Sequence, residues 1–176
     1  MIDYKMKIIG CTGSIDQVTQ VIDRINIHAE KNNVEIQLFD AQMIFGKQHL
    51  ISAFEHAIRA FERGENATHS LGMEVLLYAS GERQIKKAIK KMGIKKERKT
   101  IVVIILYHSG FNEKLNSFIT EFLSQFHLEK NNDVIVPDKS MLEEYGINQQ
   151  AISSVKNDQV FHLVLEKVAL VDVIKK

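Results

Sequence analysis

The sequence predicts an α/β protein, a single domain over residues 1–176, with a small central sheet of roughly three or four strands packed by about six or seven helices. Three observations predict this class. The chain has 176 residues, 45% of them apolar, enough for one domain with a sizeable core. Apolar residues recur at strand spacing in some segments and at helical spacing in others. Residues 100–107 form a continuous run that is largely β-branched, typical of a strand covered on both faces.

The first predicted elements are a strand, a helix and a strand. Residues 5–11 are mainly apolar and end at Thr12 and Gly13, which predicts a strand. Ser14 opens a capping-box pattern with Gln17, so we expect a helix from there to about residue 31. Residues 34–39 alternate in polarity, as a half-buried strand does. A right-handed crossover would make the two strands parallel, and nothing local excludes another pairing.

Residues 46–93 are predicted to be almost wholly helical. The first helix has one apolar stripe and ends at Gly64, and the stripe consists of Leu50, Phe54, Ile58 and Phe61. Asn66 or Thr68 is expected to cap the next helix, which is apolar on most sides and therefore central or covered by a partner. Ser80 and Gly81 interrupt it, and a basic helix follows from about residue 82 to residue 92.

The remaining elements follow the central strand. An amphipathic helix is expected over residues 111–126, and a loop with the only proline, Pro137, over residues 131–139. Residues 142–145 predict a short helix that Gly146 ends. A last helix is expected from about residue 158, with apolar residues directed to the core or to a partner.

The composition bears on the environment of the protein. No run approaches the roughly 18 apolar residues of a membrane span, and the charged N-terminal segment MIDYKMKIIG has no features of a secretory signal. Cys11 is the only cysteine, so no internal disulfide and no cysteine-pair metal site can form. We therefore expect a cytoplasmic protein.

Three candidate catalytic or metal sites are weak. The turn from Gly10 to Ser14 could hold a phosphate at a helix start, but it lacks the lysine and glycine spacing of nucleotide-binding loops, so a helix cap is the better interpretation. The sequence identifies no base that could activate Cys11 as a nucleophile, so we expect its thiol to be buried. His49 and His56 are seven residues apart with no third ligand, so we interpret them as structural. No catalytic residue, metal or cofactor is predicted.

The charge distribution is uneven. Residues 83–99 contain nine basic residues and one acid, hence +8, and because the whole chain carries +1, the rest carries −7. Such asymmetry favours an anionic partner at the basic segment, although a solvated helix face would look the same. The break at Ser80-Gly81 would direct main-chain amides outward beside Arg83 and the Gln84 amide, which suits a single-stranded nucleic-acid end, with Tyr78 the nearest aromatic for base stacking.

Residues 56–94, HAIRAFERGENATHSLGMEVLLYASGERQIKKAIKKMGI, carry a specific motif. Its residues are His56-Ala57, Ala60, Gly64, Asn66-Ala67, Glu74, Leu76-Leu77-Tyr78, Ser80-Gly81, Arg83-Gln84-Ile85 and Gly93. With YGIN at residues 145–148 and LEKVALVDVIKK at the C-terminus, it resembles the kinase-binding regulatory subunit of the KEOPS complex, the PRPK-binding protein family. The resemblance covers nearly the whole chain.

The resemblance implies a small α/β protein without catalytic activity. It implies docking on the N-lobe of a PRPK-type atypical kinase, activation of that kinase, and recruitment of tRNA through its single-stranded CCA end. The TsaD-like subunit of that complex places threonylcarbamoyl on the adenosine next to the anticodon. No membrane partner is implied.

Two surfaces are predicted on this basis. The tRNA-binding residues are expected to be Ser80, Gly81, Arg83, Gln84, Lys86, Lys87, Lys90 and Lys91. An apolar surface on the C-terminal helix is expected to bind the kinase, with three residues outside the core, namely Leu163, Leu170 and Val171. Two alternatives stay open: a structural kinase adaptor without RNA binding, and a small enzyme that binds a phosphorylated ligand at the turn from Gly10 to Ser14.

Overall fold

The computed structural model describes residues 3–174. The strands are β1 (Tyr4–Thr12), β2 (Glu35–Asp40), β3 (Thr100–His108) and β4 (Glu129–Lys130). The helices are α1 (Val18–Lys31), α2 (Lys47–Arg63), α3 (Leu71–Ser80), α4 (Ile85–Met92), α5 (Leu115–Gln125), α6 (Leu142–Tyr145), α7 (Gln149–Ser154) and α8 (His162–Ile174). The α/β class predicted from the sequence is confirmed. Residues 1 and 2 of the N-terminal segment, and 175 and 176 of LEKVALVDVIKK, lie outside the described residues.

The four strands form one antiparallel sheet in the order β2-β3-β1-β4. The two N-terminal strands therefore run in the same direction, but they do not pair, because β3 lies between them. β3 is the most apolar strand and its residues 101–107 are all buried, as expected for the centre of the sheet.

Helices cover both faces of the sheet. Since side chains alternate along a strand, Val102, Ile104 and Leu106 pack on one face with α2, α3, α4 and α8. Ile101, Val103 and Ile105 pack on the other face with α1 and α5. Nine of the ten residues of α3 are buried, so the prediction of a central helix is correct.

Several predicted boundaries and caps are wrong. α1 begins at Val18 rather than at Ser14, whose hydroxyl contacts the Asp16 carboxylate instead of a helix amide. Ser70, rather than Asn66 or Thr68, caps α3 by accepting a hydrogen bond from the Met73 amide at 3.3 Å.

The C-terminal helices also differ from the boundaries that the sequence predicts. α8 begins at His162 instead of near residue 158. A helix over residues 149–154 was not predicted, and Asn148 caps it by accepting from the Ala151 amide at 2.8 Å. No helix in residues 3–174 has the length and apolar character needed to cross a membrane.

Candidate functional site

The break between α3 and α4 is the centre of the candidate site. Gly81 ends α3 in the left-handed conformation, with φ of 66°, which glycine adopts without steric cost. The last carbonyls of a helix have no partner within it, and here side chains from elsewhere satisfy them. The Ala79 carbonyl accepts from the Tyr145 hydroxyl at 2.8 Å and is 2.7 Å from His49 Nε2. The end of α3 is thus fixed by groups that are distant in sequence.

His49 is part of this fixed end and is buried, not a histidine with one wet edge. Its Nδ1 accepts from the Phe45 amide at 3.2 Å, so Nε2 carries the proton and donates to Ala79. Burial lowers the pKa of His49 to about 4, with the hydrogen bond to Ala79 opposing that shift and the nearby Lys91 adding to it. The imidazole is therefore neutral at physiological pH, in a structural role.

Lys91 spans the break instead of extending into solvent. Its Nζ donates to the Ser80 carbonyl at 2.7 Å and to Glu82 Oε1 at 2.8 Å. It also lies 4.7 Å from the centre of the Tyr145 ring, a cation–π contact. Burial lowers the pKa of Lys91, while its bond to Glu82 opposes that shift. We expected Lys91 to bind RNA directly; with its amine bonded within the protein, it is a structural support for the break.

The side chains of Ser80 and Tyr78, which the sequence predicts beside the RNA, both face the protein interior. The side chain of Ser80 is buried, where its hydroxyl donates to the Leu77 carbonyl at 2.7 Å, so it faces the protein interior. Tyr78 is also buried and donates a hydrogen bond to Asp172 on α8, so its ring offers no face for base stacking.

Six of the nine basic residues form an exposed group, which we call the α4 cation cluster. Lys95 and Arg98 are excluded because their side chains lie 3.5 and 3.3 Å from the buried Asp40 carboxylate, and Lys91 is engaged as described above. The α4 cation cluster comprises Arg83, Lys86, Lys87, Lys90, Lys96 and Lys99, which are all exposed. Gln84 is exposed beside it, at the N-cap of α4, and makes no side-chain capping bond there.

Lys167 of α8 is a neighbour of the break that is not among the predicted site residues. A Cβ placed on Gly81 would lie 3.2 Å from Lys167 Cβ, and one on Gly146 would lie 3.4 Å from Lys167 Nζ. The glycines therefore leave room for this lysine, whose carbon stem lies beside the half-buried Gly81 and whose amine lies beside Gly146. Nothing in the local sequence indicates that residues 81 and 167 meet.

The loop between α2 and α3 is held by Glu74, another residue of the motif. Its carboxylate is buried at the start of α3 and accepts from the Thr68 amide at 2.9 Å and from the Thr68 hydroxyl at 2.8 Å. The Ala67 amide donates to it at 3.1 Å. This residue therefore shapes the entry into α3.

The outer face of α8 exposes apolar side chains. Leu170, Val173 and Ile174 are 52%, 70% and 40% exposed, and their spacing places them on one side of the helix. We call these three residues the α8 apolar patch. Leu163 is half-buried against the core. Val171 is fully buried, so the expectation that it lies outside the core is wrong; its neighbours Val173 and Ile174 are exposed instead.

The alternative sites do not have the geometry they require. Gly10 and Thr12 lie within β1, and α1 begins at Val18, so the expected strand-to-helix turn for a phosphate is not formed. Cys11 is buried, as expected, and burial raises the pKa of its thiol to about 11. Among residues 3–174, no three histidine, cysteine or acidic side chains come together in a way that could hold a metal ion.

The fold and these surfaces define a class of protein before any comparison: a mixed α/β protein with an exposed cation cluster on α4 and an apolar patch on α8. The chain belongs to the family of the kinase binding protein CGI-121, whose family model matches residues 14–172. It is thus a member of a kinase-binding family, as its sequence resemblance indicated. No curated protein matches the chain.

Proposed function

We propose that this protein is a non-catalytic regulatory subunit of a KEOPS complex, in which it binds a PRPK-type kinase and recruits tRNA through the single-stranded CCA end. Membership of a kinase-binding family supports the kinase part, and the motif of residues 56–94 supports the complex. The TsaD-like transferase, which modifies tRNA with threonylcarbamoyl, would be a partner through the complex rather than by direct contact.

The observation that carries the tRNA part is the α4 cation cluster beside the break. Phosphate contacts from lysine and arginine supply most of the affinity for a nucleic acid. Gln84 and the first-turn amides of α4 lie next to Arg83 and offer hydrogen bonds to base edges or phosphates. We propose that Arg83, Gln84, Lys86, Lys87 and Lys90 contact the RNA directly, and that Ser80, Gly81 and Lys91 hold the break in shape.

The first experiment compares two tRNAs for binding to the isolated protein, one with an intact CCA end and one without it. Salt is kept at about 0.1 M, where the Debye length is near 10 Å and surface attraction is neither exaggerated nor removed. We expect affinity to collapse when the end is removed. Equal affinity for both tRNAs would reduce the cluster to a nonspecific electrostatic patch, and no binding of either would leave a kinase adaptor.

A matched pair of variants tests the site itself. Arg83→Ala is expected to weaken binding of the intact tRNA about tenfold, or about 1.4 kcal/mol, and to leave kinase binding unchanged. Lys114→Ala removes an exposed cation next to α5, a helix of the opposite layer, and should leave tRNA affinity as it is. Equal affinities of both variants and the parent would contradict the assignment.

A further inference from the structure

The outer edge of β2 lies open at the floor of a groove. β2 is the terminal strand of the sheet, so one of its edges has no neighbouring strand among residues 3–174. A cavity of about 470 Å³ lies along this edge, between α1 on one side and α3 and α4 on the other. Because α1 belongs to one helical layer and α3 and α4 to the other, the two layers form the walls. We call this the β2-edge groove.

The register of the sheet shows which main-chain groups face the groove. The Gly10 amide donates to Asn132 Oδ1 at 3.0 Å and its carbonyl accepts from the Asn131 amide at 2.8 Å, both on the side of β1 away from β3. In an antiparallel pair, two opposite residues either bond to each other or both bond away from each other. Gly10 is opposite Val102 and bonds away from β3, so Val102 bonds away from β1, to Phe39 of β2. The bonding direction alternates from one residue to the next along each strand.

It follows that Gln37 and Phe39 bond to β3, while Ile36 and Leu38 direct their amides and carbonyls into the groove. The Gln37 side chain supports this orientation, because its Nε2 donates to the Leu38 carbonyl at 3.0 Å. In that position the amide occupies the place of an N–H from a neighbouring strand. The floor of the groove therefore offers the Ile36 amide and carbonyl and the Leu38 amide to an extended polypeptide, and the Leu38 carbonyl joins them when the incoming strand displaces the Gln37 side chain.

The walls are apolar, and the two charged residues that line the groove are both acidic. Ile22 of α1 and Ile89 of α4 line the groove and are 37% and 46% exposed. Glu30 lies on the α1 wall, and Glu35 of β2 also lines the groove. A strand lying between the walls would direct alternate side chains to each of them. Apolar or basic side chains suit the α1 wall, and apolar ones suit the α4 wall.

We propose that the β2-edge groove is a docking site for an extended segment of another protein, which joins the sheet as a fifth strand beside β2. Main-chain hydrogen bonds to Ile36 and Leu38 give affinity, and the two walls select the side chains, which is the logic of strand addition. The two acidic lining residues and the row of main-chain groups favour a polypeptide over a nucleic acid, whose phosphates Glu30 and Glu35 would repel. This inference does not depend on tRNA binding by the protein.

The test is a selection of random nonapeptides displayed on phage against the full chain, with the Ile22→Glu/Ile89→Glu double variant as the counter-target. We expect enriched peptides with alternating β-branched residues that bind the double variant at least about tenfold more weakly. Ile27→Glu is the matched control, because Ile27 is exposed on α1 but lies outside the groove. Absence of peptides that prefer the parent over the double variant would overturn the proposal.

Hydrogen exchange of the best peptide complex locates the contact, even if the double variant fails to fold. Exchange of the Ile36 and Leu38 amides should slow on binding, and methylation of alternate peptide nitrogens in the ligand should abolish both the binding and the protection. If exchange slowed only at amides other than those of Ile36 and Leu38, strand addition would be contradicted. If the free protein forms a dimer that Ile22→Glu dissociates, the occupant of the groove is a second copy of the chain. If tRNA protects these amides and peptides do not, the occupant is a nucleic acid. Either result overturns the proposal.

Discussion

Glu74 illustrates how a single buried residue supports the local shape of the motif in residues 56–94. Its carboxylate lies in the core yet accepts hydrogen bonds from the main chain and side chain of the loop that precedes α3. A buried charge is tolerated when several donors surround it. The glutamate therefore fixes the direction in which the chain enters the central helix.

Replacement of Glu74 by alanine should destabilise the fold strongly. The amides of Ala67 and Thr68 would lose their acceptor at a partly buried position, which costs about 2–3 kcal/mol. Urea unfolding of the variant measures this loss. The exposed Glu143 offers a matched control: Glu143→Ala should change the free energy of unfolding by less than about 0.5 kcal/mol. Similar small effects of both substitutions would contradict a structural role of Glu74.

His49 makes stability depend on pH. Its pKa is about 4 in the folded protein because the ring is buried, against 6.5 when exposed. The unfolded chain therefore binds more protons between these values, so the contribution of His49 is complete above about pH 6.5 and is lost as the pH falls towards 4.

The corresponding variant is His49→Gln, whose amide can still donate to Ala79. Between pH 7 and pH 5, the free energy of unfolding of the parent should fall by about 1–2 kcal/mol more than that of the variant. Urea unfolding at the two pH values measures both. The same pH dependence in both proteins would show that His49 takes up its proton as readily when folded as when unfolded.

At the scale of elements, the break between α3 and α4 depends on contacts from two other helices and from α4 itself. α2 contributes His49, α6 contributes Tyr145, and α4 folds Lys91 back onto Ser80. The YGIN segment thus has a physical role: its tyrosine bonds the end of α3, and Gly146 ends α6 with φ of 98°, as the sequence predicts.

Two neighbouring lysines of α4 should behave differently when substituted. Lys91→Met keeps most of the apolar stem but removes the bonds to Ser80 and Glu82, which should cost about 1–3 kcal/mol. Lys87→Met changes an exposed residue and should alter stability by less than about 0.5 kcal/mol. Thermal and urea unfolding of both variants make the comparison, and equal losses would show that Lys91 does not support the break.

At the scale of the whole molecule, the proposed RNA and kinase surfaces are chemically different. The α4 cation cluster concentrates positive charge on a protein whose net charge is only +1, while the α8 apolar patch resembles the core of a protein interface. α8 is linked to α2 and α3 through Asp172, which contacts His56 Nδ1 at 2.7 Å and accepts a hydrogen bond from Tyr78. The patch is thus carried by a helix fixed to the core.

Leu170→Glu should weaken binding to a PRPK-type kinase at least about tenfold while leaving the fold intact, because it buries a charge in the proposed interface. Calorimetric titration with the kinase measures the affinity, and circular dichroism checks the fold. Val136→Glu, at an exposed apolar residue of a different segment, is the matched control. Unfolding of the Leu170 variant would show that the residue belongs to the core, and unchanged affinity would place the kinase elsewhere.

The salt dependence of tRNA binding tests the charge argument. Contact with about three phosphates of a single strand predicts a slope of log K against log salt near −2, at about −0.7 per contact. Lys87→Ala should make this slope shallower by about 0.7, the contribution of one phosphate contact. Lys91→Met should leave the slope unchanged even where the affinity falls, since its amine contacts protein instead of phosphate. If Lys91→Met made the slope shallower than Lys87→Ala does, Lys91 rather than Lys87 would be the residue that contacts phosphate.

The sequence by itself determined the α/β class, the central strand, the apolar central helix, the break at Gly81 and the family, because each depends on local periodicity, on glycine or on a contiguous motif. Only the tertiary structure decided that β3 separates β1 from β2, that Lys91, Tyr78 and Val171 face inward, and that Lys167 meets Gly81. Charge and helical spacing show which side chains share a face; they do not show what covers that face, since burial is set by contacts between residues far apart in the chain.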